Sequence, residues 1–261
     1  MDATTLDLLK RMEAGTVRAL MLRDGWASVG PFLVTFHPTS DMIFMNYAIP
    51  AQPEVDVRDL PRVVERLREE FKKRKRILRF EYLEPVHKGL GRVLAECGLK
   101  LERNAPLMIC GRGELTDFVN RDVEVLPLDG QASDETLREL LLVGQRGFGY
   151  GDGSVAPREI TEQREHLKAD RYRSAYATID GKIVGIGSMT VQTDELVGIV
   201  TLPEYRRKGV AASVSSYLVR QHFQKGGQMA WLSAGDEAAE AVYRKIGFRT
   251  VGVQSNYIDA Q

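Results

Sequence analysis

Apolar residues recur at Leu6, Leu9, Val17 and Leu20, so the chain opens on a predicted helix over Leu6–Met21. Trp26–Phe36 and Met42–Ile49 are apolar and rich in β-formers, which predicts two strands. The turn formers His37-Pro38-Thr39-Ser40-Asp41 separate them. Helical spacing returns over Leu60–Lys73, with Val63, Val64, Leu67 and Phe71 on one face and Pro61 in the first turn. A strand over Ile77–Leu83, a helix over His87–Cys97 ended by Gly98, and a strand over Ala105–Cys110 complete this block.

A second block starts near Arg121. Asp122–Leu128 alternates like an edge strand, and Asp134–Gly144 reads as a helix with Ser133 as its N-cap. The glycine-rich run Gly147–Gly153 follows a helix rather than a strand, so it is a loop and not a dinucleotide fingerprint. Its Phe148 and Tyr150 are candidate walls of a substrate site. A helix is predicted over Pro157–Lys168. Ser174–Ile179 and Ile183–Val191 form a hairpin about Asp180-Gly181. Gln228–Leu232 reads as a strand and Asp236–Ile246 as a helix capped by Gly247. Phe248–Val253 and Ser255–Ile258 read as two short closing strands.

Between the hairpin and Gln228 lies the stretch that organises the chain, ELVGIVTLPEYRRKGVAASVSSYLVRQ. Leu196–Leu202 is a β-branched apolar run, hence a buried strand. A helix starts near Gly209, with Ala212, Val214, Tyr217 and Leu218 at helical spacing. The first amides of a helix lack intrahelical partners and carry the positive end of its dipole, so they suit a phosphate. Gly209 permits close approach of the backbone, Ala211 and Ala212 keep the first turn small, and Arg206, Arg207 and Lys208 add positive charge.

The pattern Arg206-x-x-Gly209-x-Ala211 resembles the acyl-CoA pyrophosphate loop of the GCN5-related N-acetyltransferase (GNAT) superfamily. The ending Tyr243-Arg-Lys-Ile-Gly247-Phe248 resembles that family's second signature, Tyr-x-x-x-Gly-Phe. The resemblance spans about residue 121 to the C-terminus. It implies an α/β (α+β) fold, with a mixed, mostly antiparallel central sheet flanked by helices, and an acetyl-CoA-dependent N-acetyltransferase. It also implies that Val210, Ala211 and Ala212 hold phosphate with the loop, and that Ile199, Val200 and Thr201 meet the thioester and pantetheine through their backbone. Glu195 stands where histone-acetylating members carry a glutamate and is the candidate base; its neighbour Asp194 is a weaker one. Tyr243 is the candidate acid. The family often has Asn where this chain has Asp236, so the contact of Asp236 with the pantetheine arm is altered: Asp accepts but does not donate.

The first block ends in the same order of elements as the second, and Leu94-Ala-Glu-Cys-Gly98-Leu99 echoes the Tyr243–Phe248 stretch. Residues 1–120 therefore read as a truncated, degenerate GNAT-like domain, and residues 121–261 as the catalytic one. The corresponding joint of the first block, Ile49 to Leu60, has no glycine and carries Glu54, Asp56 and Asp59, so it is expected to bind no CoA. Its role would be scaffold, substrate wall or homodimer surface.

Composition adds exclusions. Lys+Arg and Asp+Glu both number 36, which gives no pull toward nucleic acid or an anionic membrane. The run Lys72–Arg76 reads as a solvated helix end. The N-terminus lacks the basic start and apolar region of a signal peptide, and the expectation is a cytoplasmic protein. Cys97 and Cys110 form neither a disulfide framework nor a metal set, and His37, His87 and His222 lack partners at ligand spacing, so no metal is expected. His166 could line the acceptor site. The expected acceptor is a small-molecule amine; a CoA-binding module without turnover is the alternative.

Overall fold

Asp2 caps the first helix by accepting from the Thr5 amide at 2.8 Å, and Leu9, Met12, Val17 and Leu20 lie on the helix's buried face. A computed structural model describes residues 2–259 apart from residues 39, 53 and 54. Its elements are α1 (Ala3–Met21), β1 (Trp26–Val29), β2 (Phe32–Thr35), β3 (Tyr47–Pro50), α2 (Leu60–Lys73), β4 (Arg79–Leu83), α3 (Leu90–Glu96) and β5 (Leu99–Gly111). They continue with β6 (Glu124–Leu128), α4 (Asp134–Phe148), α5 (Pro157–Lys168), β7 (Tyr172–Ile179), β8 (Lys182–Thr190), β9 (Leu196–Thr201), α6 (Val210–Gln224), β10 (Met229–Ser233), α7 (Glu237–Lys245) and β11 (Arg249–Asp259). Among the described residues no helix is long and apolar enough to cross a membrane.

Two units result. The first joins residues 2–107 to residues 251–259, and the second holds residues 108–250. Most of the last strand, residues 251–259, belongs with the first unit. In the first unit the strand order is β1-β2-β3-β4-β11-β5. β3 runs parallel to β4, with Ala48 opposite Phe80. β11 runs antiparallel to β4, from Gln254 opposite Leu83 to Ile258 opposite Arg79. Leu60, Val64, Leu67 and Phe71 of α2 cover this sheet, with Phe32 edge-on to Phe80 at 5.1 Å and Phe36 on Phe71 at 4.8 Å. Arg68 of α2 holds Asp259 of β11 through two hydrogen bonds of 2.9 and 2.8 Å. In the basic run after it, Lys73 and Arg74 pair with Glu70, and the Arg74 guanidinium lies 4.3 Å from the Phe36 ring centre.

Some predicted elements change. Trp26–Phe36 is a tight hairpin rather than one strand, because Gly30 adopts φ +59° and turns the chain. Met42–Ile49 begins as a 3-10 turn over Ile43–Met45, and the strand starts only at Tyr47. α4 runs on to Phe148, with Gly149 as its left-handed cap, so the first part of the glycine-rich run is helical. The two closing strands are one, because nothing between Val253 and Ser255 breaks the backbone.

The second unit is the antiparallel sheet β6-β7-β8-β9. Leu137, Leu140 and Val143 of α4 pack with Ile160 and Leu167 of α5 on one face, beside Ile183 and Val200. Val210, Val214 and Leu218 of α6 cover the other face, beside Ala175, Val184, Met189 and Leu196. Strand, joint, helix and strand thus recur: β3–α2–β4 in the first unit and β9–α6–β10 in the second, each with a parallel contact between its strands.

A prediction follows from the place of β11. A chain ending at Thr250 loses the strand between β4 and β5 and leaves both with open edges. Amide hydrogen exchange of β4 residues 79–83 should then rise to that of a frayed segment. Unchanged protection in β4 would show that β11 is dispensable.

Candidate active site

Strand β9 departs from regular pairing at one point. Ile186 faces Val200 and Ser188 faces Val197, so Gly187 alone opposes Gly198 and Ile199. Gly198 takes φ +63°, the left-handed conformation of a glycine bulge. On its other side β9 touches β10 only through the parallel bridge Glu195–Trp231, where the Trp231 amide donates to the Asp194 carbonyl at 3.0 Å. Past that bridge β9 is the last strand of its sheet. On that side, beyond the bridge, β9 pairs with no other strand among the described residues.

β9 leads through the 3-10 turn Pro203–Tyr205 into α6. Arg207 (φ 62°) and Gly209 (φ 78°) are both left-handed, which turns successive amides the same way. The first helical bond runs from the Ser213 amide to the Gly209 carbonyl at 2.9 Å, so the amides of Val210, Ala211 and Ala212 point out of the helix start. A Cβ on Gly209 would stand 3.0 Å from the Phe118 ring and 3.2 Å from Asn120 Nδ2. Asn120 Nδ2 itself donates to the Lys208 carbonyl at 2.8 Å. The segment before β6 therefore braces the loop, and no motif in the sequence announced it. Arg206, Arg207 and Lys208 are exposed. Arg206 donates to the Gly147 carbonyl at 3.1 Å, and the Lys208 ammonium lies 4.9 Å from the Tyr205 ring centre. The hydroxyls of Thr201 and Ser213 are buried without partners at this joint.

Tyr243 is buried on α7, edge-on to Phe248 at 5.9 Å. Burial, with the Asp236 charge adding, pushes its phenol up to about 12. It stays protonated at neutral pH, and among the described residues its hydroxyl has no hydrogen-bond partner. Asp236 is exposed and caps α7, accepting from the Ala239 amide at 2.7 Å. One of its oxygens is thus committed to the helix.

Glu195 and Asp194 separate. Leu196 lies in the α6 core, so by strand alternation Glu195 and Val197 face the α4–α5 side. The Glu195 amide donates to Thr190 Oγ1 at 2.8 Å, which fixes its backbone. Asp194 instead lies 3.8 Å from Nε2 of buried His222 on α6, whose ring also meets the Met229 carbonyl at 2.9 Å. Sequence spacing gave no sign of this pair, because 28 residues separate its members. Buried His87 likewise meets Glu13, at 2.5 Å, in the first unit. Among the described residues no three His, Cys, Asp or Glu side chains form a metal site.

On the α4–α5 side a cavity of about 230 Å³ reaches the Gly198 bulge. Phe148 and Tyr150 wall it, with their rings stacked at 6.2 Å and 14°. Ser174 and Ser188 line it and share a hydrogen bond of 2.8 Å. His166 lines it as well, its ring 4.5 Å from that of Tyr172. The loop carrying Tyr150 is clamped by buried Gln145, which donates to the Ser154 carbonyl at 2.8 Å and accepts from the Gly153 amide at 3.2 Å.

Residues 139–248 match the acetyltransferase (GNAT) family. The chain is similar in structure to a GCN5-related N-acetyltransferase from Kribbella flavida (TM-score 0.79, 23% identity, 97% of this chain and 96% of that one). It is also similar to a GCN5-related N-acetyltransferase from Sphaerobacter thermophilus (TM-score 0.66, 12% identity, 97% and 90%). A tandem GNAT protein from the clavulanic acid biosynthesis pathway has TM-score 0.59 and 12% identity over 98% of this chain and 95% of that one. At these identities the likeness establishes the fold. No curated protein matches the chain in sequence.

The Asp194 carboxyl carries a pH prediction. Burial raises it above its ordinary value of 3.8, against attraction from His222 and Arg173. Its ionisation therefore opposes folding: the penalty is absent below the ordinary value, grows as pH rises through the folded value, and is complete above it. Asn tolerates the left-handed φ of 58° at this position. Asp194→Asn should match the wild type in urea midpoint at pH 3 and exceed it at pH 7. A lower midpoint at pH 7 would mean that the His222 attraction outweighs desolvation.

Proposed function

We propose that this acetyltransferase domain moves the acetyl group of acetyl-CoA to the primary amine of a small molecule, by direct attack with both substrates bound. The observation that carries the reading is the continuity of the open β9 edge with the outward amides of α6. One path thus offers peptide-like groups for a pantetheine arm, followed by an anion cradle for a pyrophosphate. Backbone groups of Ile199, Val200 and Thr201 would pair with the arm. The amides of Val210, Ala211 and Ala212 would take the phosphates, with Gly209 keeping the approach clear. Arg206, Arg207 and Lys208 supply charge. Asp236, already a helix cap, retains one acceptor for the arm.

The bulge aims a backbone amide of the Gly198–Ile199 pair at the thioester oxygen, where a fixed donor stabilises developing negative charge. Glu195, on the acceptor face, takes the proton of the incoming ammonium directly or through water. The amine nitrogen bonds to the acetyl carbon, the carbon–sulfur bond breaks, and the electron pair leaves on sulfur. Tyr243 serves as a hydrogen-bond donor to that sulfur. Full proton transfer from a phenol at about 12 to a thiolate, whose acid titrates at roughly 8.5, is uphill by about 5 kcal/mol. Donation without complete transfer is therefore the role the burial of Tyr243 favours, and the thiol proton is drawn from water.

We assign no CoA to the first unit. Asp59 stands at the N-cap of α2, where α6 has Gly209, and Asp56, held down to about 2 by Arg58, lies three residues earlier. These acids occupy the positive end of α2 and disfavour a phosphate there.

Acetyl-CoA at 100 times its dissociation constant should stabilise the wild type by roughly 2.7 kcal/mol. Gly209→Glu should abolish that shift, because its side chain meets Phe118 and Asn120 and adds negative charge to the cradle. Tyr243→Phe should lower kcat about a hundredfold with little change in the KM for acetyl-CoA. Glu195→Gln should remove the acid limb of the pH–rate profile. No shift in the wild type would reject acetyl-CoA as the ligand, and unchanged rates in both variants would reject the catalytic assignments.

A further inference from the structure

The cavity beside the Gly198 bulge has a composition that selects among amines. Its apolar lining is Leu128, Leu140, Leu141 and Ile186. Its polar lining includes the Ser174–Ser188 hydroxyl pair, Gln163 and His166, and among the lining residues there is no carboxylate, lysine or arginine. Glu159 is not among the lining residues and accepts from the Ala156 amide at 2.7 Å. A second ammonium on the acceptor would enter without a counter-ion among the lining residues, which burial penalises. A phosphate on the acceptor would likewise find no lysine or arginine there. The volume of about 230 Å³ is below the roughly 300–1,000 Å³ usual for drug-sized ligands.

The rings of Phe148 and Tyr150 add a shape. They lie nearly parallel, at 14°, and remain 53% and 41% exposed although both are large apolar surfaces. The Gln145 clamp fixes the second of them: Gly151, at φ +80°, passes so close that a Cβ there would stand 2.6 Å from the Gln145 amide carbon. Two exposed rings, parallel within 14° and stacked on each other at the edge of a cavity without carboxylate, lysine or arginine, offer a stacking surface to a flat apolar group.

We infer that the acceptor is a primary amine on a small, flat, otherwise uncharged body of the arylalkylamine class, with its ring against Phe148 and Tyr150 and its nitrogen directed toward the Gly198 bulge. This inference rests on the acetyl-transfer reading above. The ammonium loses one proton to become nucleophilic and a second after attack, and the products are the N-acetylated arylalkylamine and free CoA thiol. The Ser174–Ser188 pair lies on the path to the bulge and accepts a hydrogen bond from the amine.

The experiment measures thiol release from saturating acetyl-CoA with 2-phenylethylamine, spermidine, glucosamine 6-phosphate and a lysine-containing peptide. The expected kcat/KM for 2-phenylethylamine exceeds the others by about a hundredfold, the discrimination that an uncompensated buried polar group supports. Tyr150→Ala and Phe148→Ala should each raise its KM about three- to tenfold and leave the KM for acetyl-CoA unchanged. Leu141→Asp, which adds a carboxylate to the cavity, should shift preference toward spermidine. Equal or better turnover of spermidine, the phosphorylated amino sugar or the peptide by the wild type would overturn the inference and leave acetyl transfer standing. Thiol release with none of the four, while acetyl-CoA still raises the unfolding midpoint, would overturn the acceptor class but not the CoA site. Loss of that midpoint shift as well would take down both readings. Saturation-transfer NMR of 2-phenylethylamine without acetyl-CoA, abolished by Tyr150→Ala, supports the cavity assignment independently of turnover.

Discussion

A strand inside a folded unit must find partners for its backbone, and the outer edge of β9 has given up its protein partner. After the bridge between Glu195 and Trp231 it leaves β10, and at Gly198 it bulges away from regular pairing with β8. Open peptide groups would be costly if buried dry. They become useful when a ligand with its own amides completes them. The turn into α6 lies at the far end of β9, and the cavity walled by Phe148 and Tyr150 lies beside the bulge.

The two helix starts that follow the parallel-paired strands differ in charge. Both helices have a positive dipole end. At α6 that end is bare backbone around Gly209, with three exposed cations beside it. At α2 it carries Asp59, whose side chain makes no cap hydrogen bond but places negative charge there. The proposal that only the second unit takes a phosphate rests on this difference.

The cavity beside the bulge is built differently, from side chains rather than backbone. Its apolar lining with a pair of hydroxyls and without carboxylate, lysine or arginine is what the proposed preference for an otherwise uncharged amine rests on, and the clamped loop that carries Tyr150 supplies shape. Burial also governs Tyr243: it pushes the phenol up to about 12, which keeps it protonated at neutral pH.

Local signals made most of the second unit legible. Periodicity placed α5, Asp180-Gly181 placed the hairpin, and Arg206–Ala211 marked the turn into α6, because each depends on residues adjacent in the chain. Gly30 falls inside a predicted strand but its left-handed φ makes a turn, and Gly147 and Phe148 fall in a predicted loop but α4 continues through both, with Gly147 close against Val200. The remaining features join distant residues. β11 crosses into the first unit beside β4, Asn120 braces the Lys208 carbonyl, Asp194 meets His222, and Ser174 meets Ser188 beside the bulge. The sequence by itself determined most of the elements and the turn into α6, since backbone preference acts over a few residues. Only the tertiary structure decided where β9 parts from β10, which way Glu195 and Asp194 face and what lines the cavity beside the bulge. Those depend on register, and register is set by long-range packing.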